Sequence, residues 1–487
     1  MYLSAKIRYI ISHKILAVLS CFIHKWTPST MKDLTQGSIP KHLVTMAFPM
    51  MIGMFIQTLY FIVDLYFVGK LGSAALAGLS LAGNAMFLIF ALTQILNVST
   101  ASLISHAVGA KDQPDANITF NQSMMIATLM GIVVCIVGYL GAESYLKLIS
   151  QDSETVTMGL AYLHWFIPCM ALQFVMVSIS AALRGTGIVK PTMVIQILSI
   201  LLNIILSPIL IAGWGTGFSM GIAGAGFASS LSVIFAVFLL FYYFKSAEKY
   251  VNVDFSLWQI NVPRIKKLLA IGLPAGGEFF LMFVYMGSIY WLIQPFGADA
   301  QAAFGLGSRI MQSLFLPAMA IAFAAPAIAG QNFGAKNYSR VRETFTWTAI
   351  MTCSLMAILT LACLSQAELM LQGFSNDKEV ILISVAFLQI ICWNFVPSGL
   401  VFTCSGMFQS LGNTMPALIS TATRLVTFIM PALWISQQNY FQIEQLWYVS
   451  VVTVCIQASV SFYFLKQEFK KRLPENDLSD QSCVELV

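Results

Sequence analysis

Apolar residues run through this chain in long unbroken stretches, with little alternation between apolar and polar positions. Twelve such stretches lie near residues 42–68, 75–106, 118–141, 158–183, 191–213, 222–244, 267–294, 301–329, 344–366, 379–408, 415–437 and 445–467. Each is long enough to cross a hydrocarbon layer as a helix, which takes about 20 residues. Continuous runs predict helices, because a membrane barrel would alternate residue by residue. The expected fold is all-α and polytopic, with twelve transmembrane helices.

Composition explains why the runs are so long. Of the 487 residues, 58% are hydrophobic and only 10% charged, with a mean hydropathy of +0.79. A soluble protein carries about 25% charge, so the solvent for most of this surface is lipid. A cytosolic enzyme, a disordered chain and a secreted disulfide scaffold are excluded. The nine cysteines form no Cys-x-x-Cys pair and read as small core residues.

Lys and Arg are sorted by side. With the N-terminus inside, 21 fall in inside segments, three (Lys70, Lys147 and Lys378) in outside loops, and two (Arg309 and Arg424) within spans. This bias places both termini in the cytoplasm and makes the net charge of +5 a mark of orientation, with no nucleic-acid partner implied. Residues 1–41 read as a cytoplasmic extension. Its short apolar run, 15–23, cannot span and lacks a small-x-small cleavage site, and Met31 is a plausible alternative start. Residues 468–487 read as a charged cytoplasmic tail. Asn117-Ile118-Thr119 and Asn121-Gln122-Ser123 fit the glycosylation pattern but fall on the cytoplasmic side, where that chemistry is unavailable.

The two halves repeat at an offset of 225. Pro49 meets Pro274, Gly72 meets Gly297, Gly109-Ala110-Lys111 meets Gly334-Ala335-Lys336, Gly187 meets Gly412 and Pro191 meets Pro416. The series has no gap, and Gly and Pro recur where the chain turns or bends. Six spans per half make the repeat parallel, about an axis along the membrane normal. The expected units are an N-lobe (42–245), a linker (246–266) and a C-lobe (267–467). Two such bundles with a seam between them suit rocking around a central site, the geometry of a transporter. Pro49 and Pro274 sit inside apolar runs and read either as fixed kinks or as hinges.

Only two acids lie clearly inside apolar runs, Asp64 and Glu278. An intramembrane carboxylate costs about 2.5–3.5 kcal/mol to insert and is functional by default. Glu278 lies eleven residues beyond Lys267, roughly 16 Å deep, with Tyr285 two turns on along the same face. Asp64 is six residues before Lys70, about 9 Å from the outer end, with Gln57 two turns earlier. Gln196, Ser199, Asn203 and Ser207 share one face of their span, and Ser420, Arg424 and Thr427 share one face of theirs. Such stripes face a cavity or hydrogen-bond between helices. Arg309 or Arg424 would neutralise Glu278 if paired with it; left unpaired, the glutamate would be able to carry a proton at neutral pH. No His-Glu-x-x-His and no Walker A pattern occurs.

The chain resembles the multidrug and toxic compound extrusion (MATE) family. The resemblance lies in Pro49 with Gln57-Thr58 and Val63-Asp64, Val68-Gly69-Lys70-Leu71-Gly72 with Ala75-Leu76-Ala77, Leu183-Arg184-Gly185-Thr186-Gly187, Gly221-Ile222-Ala223-Gly224-Ala225 and Gly330-Gln331-Asn332-Phe333-Gly334-Ala335. It covers about residues 32–467. It implies two six-helix lobes around a central cavity and export of organic cations and other amphiphiles against proton or sodium entry. Asp64 matches the family's coupling aspartate and Asn203 a polar partner. Ser207 stands where many members carry a second aspartate, and Ser229 occupies a matching hydroxyl position. Glu278 follows its proline by four residues, whereas many relatives place the glutamate about one turn later. The implied setting is a bacterial inner membrane, the implied state a monomer, and no cofactor is expected beyond the coupling proton or Na+. The rival readings are a lipid-linked precursor flippase, a polytopic membrane enzyme and a channel.

Overall fold

The structure is a computed structural model. It describes residues 32–246, 250–372 and 378–474 and, within these, every side chain except those of 59–64, 246, 372, 378 and 379. Expectations for residues 1–31, for the tail beyond 474 and for the side chain of Asp64 therefore fall outside the described residues.

Twelve helices are long and apolar enough to span. They are α1 (Ile39–Gly69), α2 (Ser73–Gly109), α3 (Gln113–Ile149), α4 (Ser153–Gly185), α5 (Lys190–Ala212), α6 (Ile222–Ser246), α7 (Val262–Ile293), α8 (Ala298–Gly334), α9 (Tyr338–Gln372), α10, α11 (Met415–Ser436) and α12 (Ile443–Arg472). The tenth span, α10 (Val380–Ser410), is interrupted by a 3-10 turn at Cys392–Asn394. Among the described residues there is no strand. Pro49 and Pro274 both lie inside continuous helices.

Within the first half, α4 packs on α2, α3 and α6, and α5 on α1 and α6. Within the second, α8, α9 and α10 pack together, as do α7, α11 and α12. The halves meet through α1 on α8, α7 on α2, and α2 on α8. These contacts are related by the repeat: α1 corresponds to α7 and α2 to α8.

The turns repeat in backbone geometry as well as in sequence. Gly187 and Gly412 are left-handed (φ 81° and 69°), and so are Lys111 and Lys336 (φ 58° and 61°). A non-glycine residue adopts this conformation only at some cost. Finding the same residue type strained at both equivalent positions marks a true structural repeat.

Loops and helix starts at one end of the bundle carry Lys41, Lys111, Lys190, Arg264, Lys336 and Arg340, and both described ends of the chain lie there. At this basic face the lobes are locked together around the pseudo-two-fold axis. A Cβ on Gly109 would fall 1.9 Å from the Gln331 carbonyl oxygen, and one on Gly334 would fall 2.1 Å from that of His106. Gln331 and His106 are themselves equivalent positions, so the contact is reciprocal. A His106 ring nitrogen lies 2.6 Å from the Ser410 carbonyl, while Gln331 Nε2 donates to the Gly185 carbonyl at 3.0 Å, and Gly185 and Ser410 are again equivalent. Residues 32–38 run across this seam as a strap. Lys32 N donates to Thr186 O, Leu34 N to Gln331 Oε1, and Asn332 Nδ2 to Leu34 O. Leu34 is fully buried.

Candidate functional site

In the N-lobe the polar stripe of α5 turns toward α6 and α1. Ser199 Oγ donates to Ser232 O at 2.7 Å, Asn203 Nδ2 to Ser229 Oγ at 3.2 Å, and Ser207 Oγ to Asn203 Oδ1 at 3.1 Å. Asn203, Ser207 and Ser229 are all buried. Gln196 Nε2 reaches Gln57 Oε1 on α1 at 3.4 Å. Three of the sequence-predicted residues thus form one cluster inside the lobe, and the fourth, Asp64, lies on the helix beside it with its side chain outside the described residues.

In the C-lobe Glu278 is 4% exposed, and Ser405 Oγ lies 3.1 Å from each of its carboxylate oxygens. One hydroxyl proton cannot serve both oxygens fully. Neither Arg309 nor Arg424 is within ion-pair reach of it. Arg309 is exposed on α8, and Arg424 stacks on Tyr285, with its guanidinium carbon 4.3 Å from the ring centroid. The structural ion pair that the sequence left open is not formed. A charged carboxylate here would stand in a low dielectric without a counter-ion, so an incoming proton or metal cation is what can neutralise it. Tyr285 is brought to Arg424 and to Ser450, whose hydroxyl lies 2.9 Å from its own.

Between these two sites, on the pseudo-two-fold axis, lies a small cavity of about 20 Å³ for the centre of a water molecule, room for one or two waters. Three equivalent pairs line it: Val98 with Phe323, Ala101 with Pro326, and Arg184 with Gln409. Arg184 Nη2 donates to Asn97 Oδ1 at 2.6 Å, and Asn97 Nδ2 to Gln94 Oε1 at 2.7 Å. From the opposite lobe Gln409 Nε2 lies 3.5 Å from Ser405 Oγ, which connects the cavity to Glu278. Charge counting treats Arg184 as a loop residue of the basic side; in the structure it ends α4 and turns inward. Ser405, Gln409 and Asn97 carry no sequence signal, since a polar residue in a helix identifies a face and not the neighbour it meets. The only hint at Arg184 is its place in the Leu-Arg-Gly-Thr-Gly motif.

A family model described as MatE matches residues 49–209 and, in the same register, 274–434. The chain belongs to the MATE family. The curated relatives of this MATE protein include the multidrug export protein MepA of Staphylococcus aureus (strain MRSA252), 24% identical over 437 residues, which are 88% of this chain and 94% of the relative. They also include a probable multidrug resistance protein, YoeA of Bacillus subtilis (strain 168), 22% identical over 81% of this chain and 86% of that one. Among solved structures, an outward-facing multidrug resistance MATE transporter of the MOP superfamily superposes with a TM-score of 0.85 at 23% identity, covering 91% of this chain and 98% of that one. A MATE protein solved in a straight conformation and one in a bent conformation each give 0.84 at 23% identity, covering 90% of this chain and 98% and 97% of theirs. The protein is thus a multi-pass membrane protein of a multidrug efflux family.

Proposed function

We propose that the protein is a secondary antiporter that exports organic cations or cationic amphiphiles in exchange for protons or Na+ by alternating access. The observation that carries this reading is Glu278, a carboxyl group buried between helices with one hydroxyl and no cation beside it. Asp64, assigned from its motif, is the second acid, beside the cluster of Asn203, Ser207 and Ser229. Uptake of a cation at these acids from outside weakens the site for a positively charged substrate, which leaves; release of the cation inside restores it. Gln57 and the neighbouring polar face are the substrate contacts in this scheme, Tyr285 being covered by Arg424, and Pro49 and Pro274 are the points where α1 and α7 bend.

The excess of Lys and Arg at the basic face orients both termini to the cytoplasm of a bacterial inner membrane. One proton supplies about 1.4 kcal/mol per pH unit and about 2.3 kcal/mol per 100 mV. If a monocation leaves for each proton, the voltage terms cancel and only the pH term drives export. One chain holds every group the scheme uses, so a monomer suffices.

The test is substrate efflux from proteoliposomes under an imposed pH or sodium gradient. Asp64→Asn is expected to weaken gradient-driven efflux while leaving substrate binding detectable. Full efflux in that variant removes Asp64 from coupling. Flux that ignores both gradients would mark a channel.

A further inference from the structure

Among the described residues Arg424 is a cation without an anion. It lies nine residues into α11, roughly 14 Å from the basic end of that helix, near the middle of the span. Its guanidinium carries five N–H donors. The Tyr285 ring covers one face at 4.3 Å. Its Nε is buried without a hydrogen-bond partner, and no described carboxylate comes within ion-pair distance. A ring face offsets part of the charge but accepts none of the in-plane N–H groups.

Arg424 helps to line a cavity of about 10 Å³ for a water-sized centre, together with Met282, Tyr285, Thr421, Leu425 and Gln457. Thr421 Oγ1 accepts from Gln457 Nε2 at 3.2 Å. Its own hydroxyl proton is therefore left for the cavity. The Tyr285 hydroxyl is turned away to Ser450 Oγ, 2.9 Å distant, and Asn394 Nδ2 reaches the same oxygen at 3.2 Å. The cavity thus holds the Arg424 charge and the Thr421 hydroxyl, with the Gln457 amide oxygen the one side-chain oxygen acceptor of its lining besides the two hydroxyls.

The repeat shows that the fold does not require this arginine. The equivalent position in the N-lobe is Ser199, which closes a hydrogen bond to α6 at 2.7 Å in the same helix pairing. A cation that the scaffold can replace with serine, kept in the membrane interior with a ring face but no described carboxylate beside it, calls for a ligand that accepts hydrogen bonds and carries negative charge.

We propose that this cavity is an anion site of the C-lobe, occupied by chloride or by the carboxylate end of a larger molecule, with Arg424 supplying the charge and Thr421 a hydroxyl donor. The site repels the cations that Glu278 attracts, so the C-lobe sorts charge at two separate places. A carboxylate occupant would extend the exported class to molecules bearing both a cationic and an anionic group.

The test uses the purified full-length protein in detergent at constant ionic strength, with chloride, formate or methanesulfonate, an anion with no carboxylate, as the only anion. Melting midpoints of the wild type are expected to rise saturably in chloride or formate relative to methanesulfonate. Arg424→Gln is expected to lose that rise, and Arg424→Lys to weaken apparent affinity about tenfold, because an ammonium cannot offer the planar donor edge. Response to chloride alone assigns a halide site; response to formate and longer carboxylates assigns the substrate end. Equal midpoints in all three anions, or an anion response that survives in Arg424→Gln, overturns the proposal. Should that variant fail to fold, equilibrium dialysis of the wild type against radiolabelled chloride and formate decides. About one bound anion per chain supports the site, and none above a detergent blank refutes it, leaving water as the occupant. Neither readout uses transport, so the result stands apart from the antiport reading.

Discussion

At the scale of single residues, Gly109 and Gly334 set how closely the two lobes approach. Each lets one lobe's backbone lie where any side chain would collide with the other's, at 1.9 and 2.1 Å for a Cβ. The obstructing atoms are carbonyl oxygens in helices, which cannot rotate aside. An added methyl therefore opposes closure of the basic face by an amount typical of overpacking, about 1–3 kcal/mol. Gly109→Ala and Gly334→Ala are each expected to raise thiol labelling of a cysteine placed at the seam (Ser105→Cys) several-fold and to slow efflux. Gly141→Ala, whose Cβ would meet nothing within 4 Å, serves as the control and is expected to change neither. Unchanged labelling in the seam variants would show that the reciprocal contact does not govern closure. The sequence makes these glycines visible as a repeated pair, because an offset is a one-dimensional property. It does not reveal that each packs against the partner lobe, because equivalence under a two-fold says nothing about distance from the axis.

At the scale of elements, the spans were readable because lipid imposes one requirement on every crossing segment, an apolar helix of sufficient length. Their ends were less so. The first helix starts at Ile39, not 42, and the last continues to Arg472, five residues past the apolar run. Helical hydrogen bonding costs nothing to extend into the polar boundary, so the helices outlast their hydrophobicity. The segments between helices were read least well. Asn117, Asn121 and Gln122, set aside as unusable glycosylation patterns, hold the linker between the lobes: Asn252 N donates to Asn117 Oδ1 at 2.8 Å, Asp254 N to Asn121 Oδ1 at 2.9 Å, and Gln122 Nε2 to Leu257 O at 2.8 Å. The strap of residues 32–38 is held in a similar way by two amides from α8, Gln331 and Asn332. Gln331 accepts from Leu34 N and donates to Gly185 O, both at 3.0 Å, which joins strap, N-lobe and C-lobe. Gln331→Ala orphans two buried backbone groups at about 1–3 kcal/mol each. The apparent melting midpoint is expected to fall by several degrees, and an unchanged midpoint would mean the strap rides on the surface. The carboxyl in the strap's own turn is insensitive to mild acid. Hydrogen bonds from the Thr35 hydroxyl and amide hold the Asp33 carboxyl below the usual carboxylate range. Its contribution is present above that range and disappears only as pH falls through the lowered value, so this carboxyl stays ionised on acidification to pH values near 6.

At the scale of the whole molecule, one backbone plan is used twice with different chemistry. Asp64 on α1 corresponds to Ile289 on α7, Glu278 to Gly53, Asn203 to Phe428 and Ser199 to Arg424. The lobes therefore share their hinges and turns but not their charged groups, and each brings one intramembrane acid to a different depth. Two acids on separate helices, with Glu278 linked to the common axis through Ser405 and Gln409, are placed to take up cations independently. Independence has a thermodynamic signature. With voltage clamped, each proton exchanged per substrate multiplies the steady-state substrate gradient by about ten for every unit of imposed pH difference, because each proton contributes about 1.4 kcal/mol. With both acids at work under proton coupling, the logarithm of that gradient rises by two per pH unit. Glu278→Gln keeps the shape and the Ser405 contact but removes the charge. It is expected to lower the slope from two to one while Asp64→Asn in the same background removes the remaining dependence. A slope of one in the wild type that Glu278→Gln leaves untouched would assign coupling to the N-lobe alone and make the buried glutamate a contact for the cationic substrate.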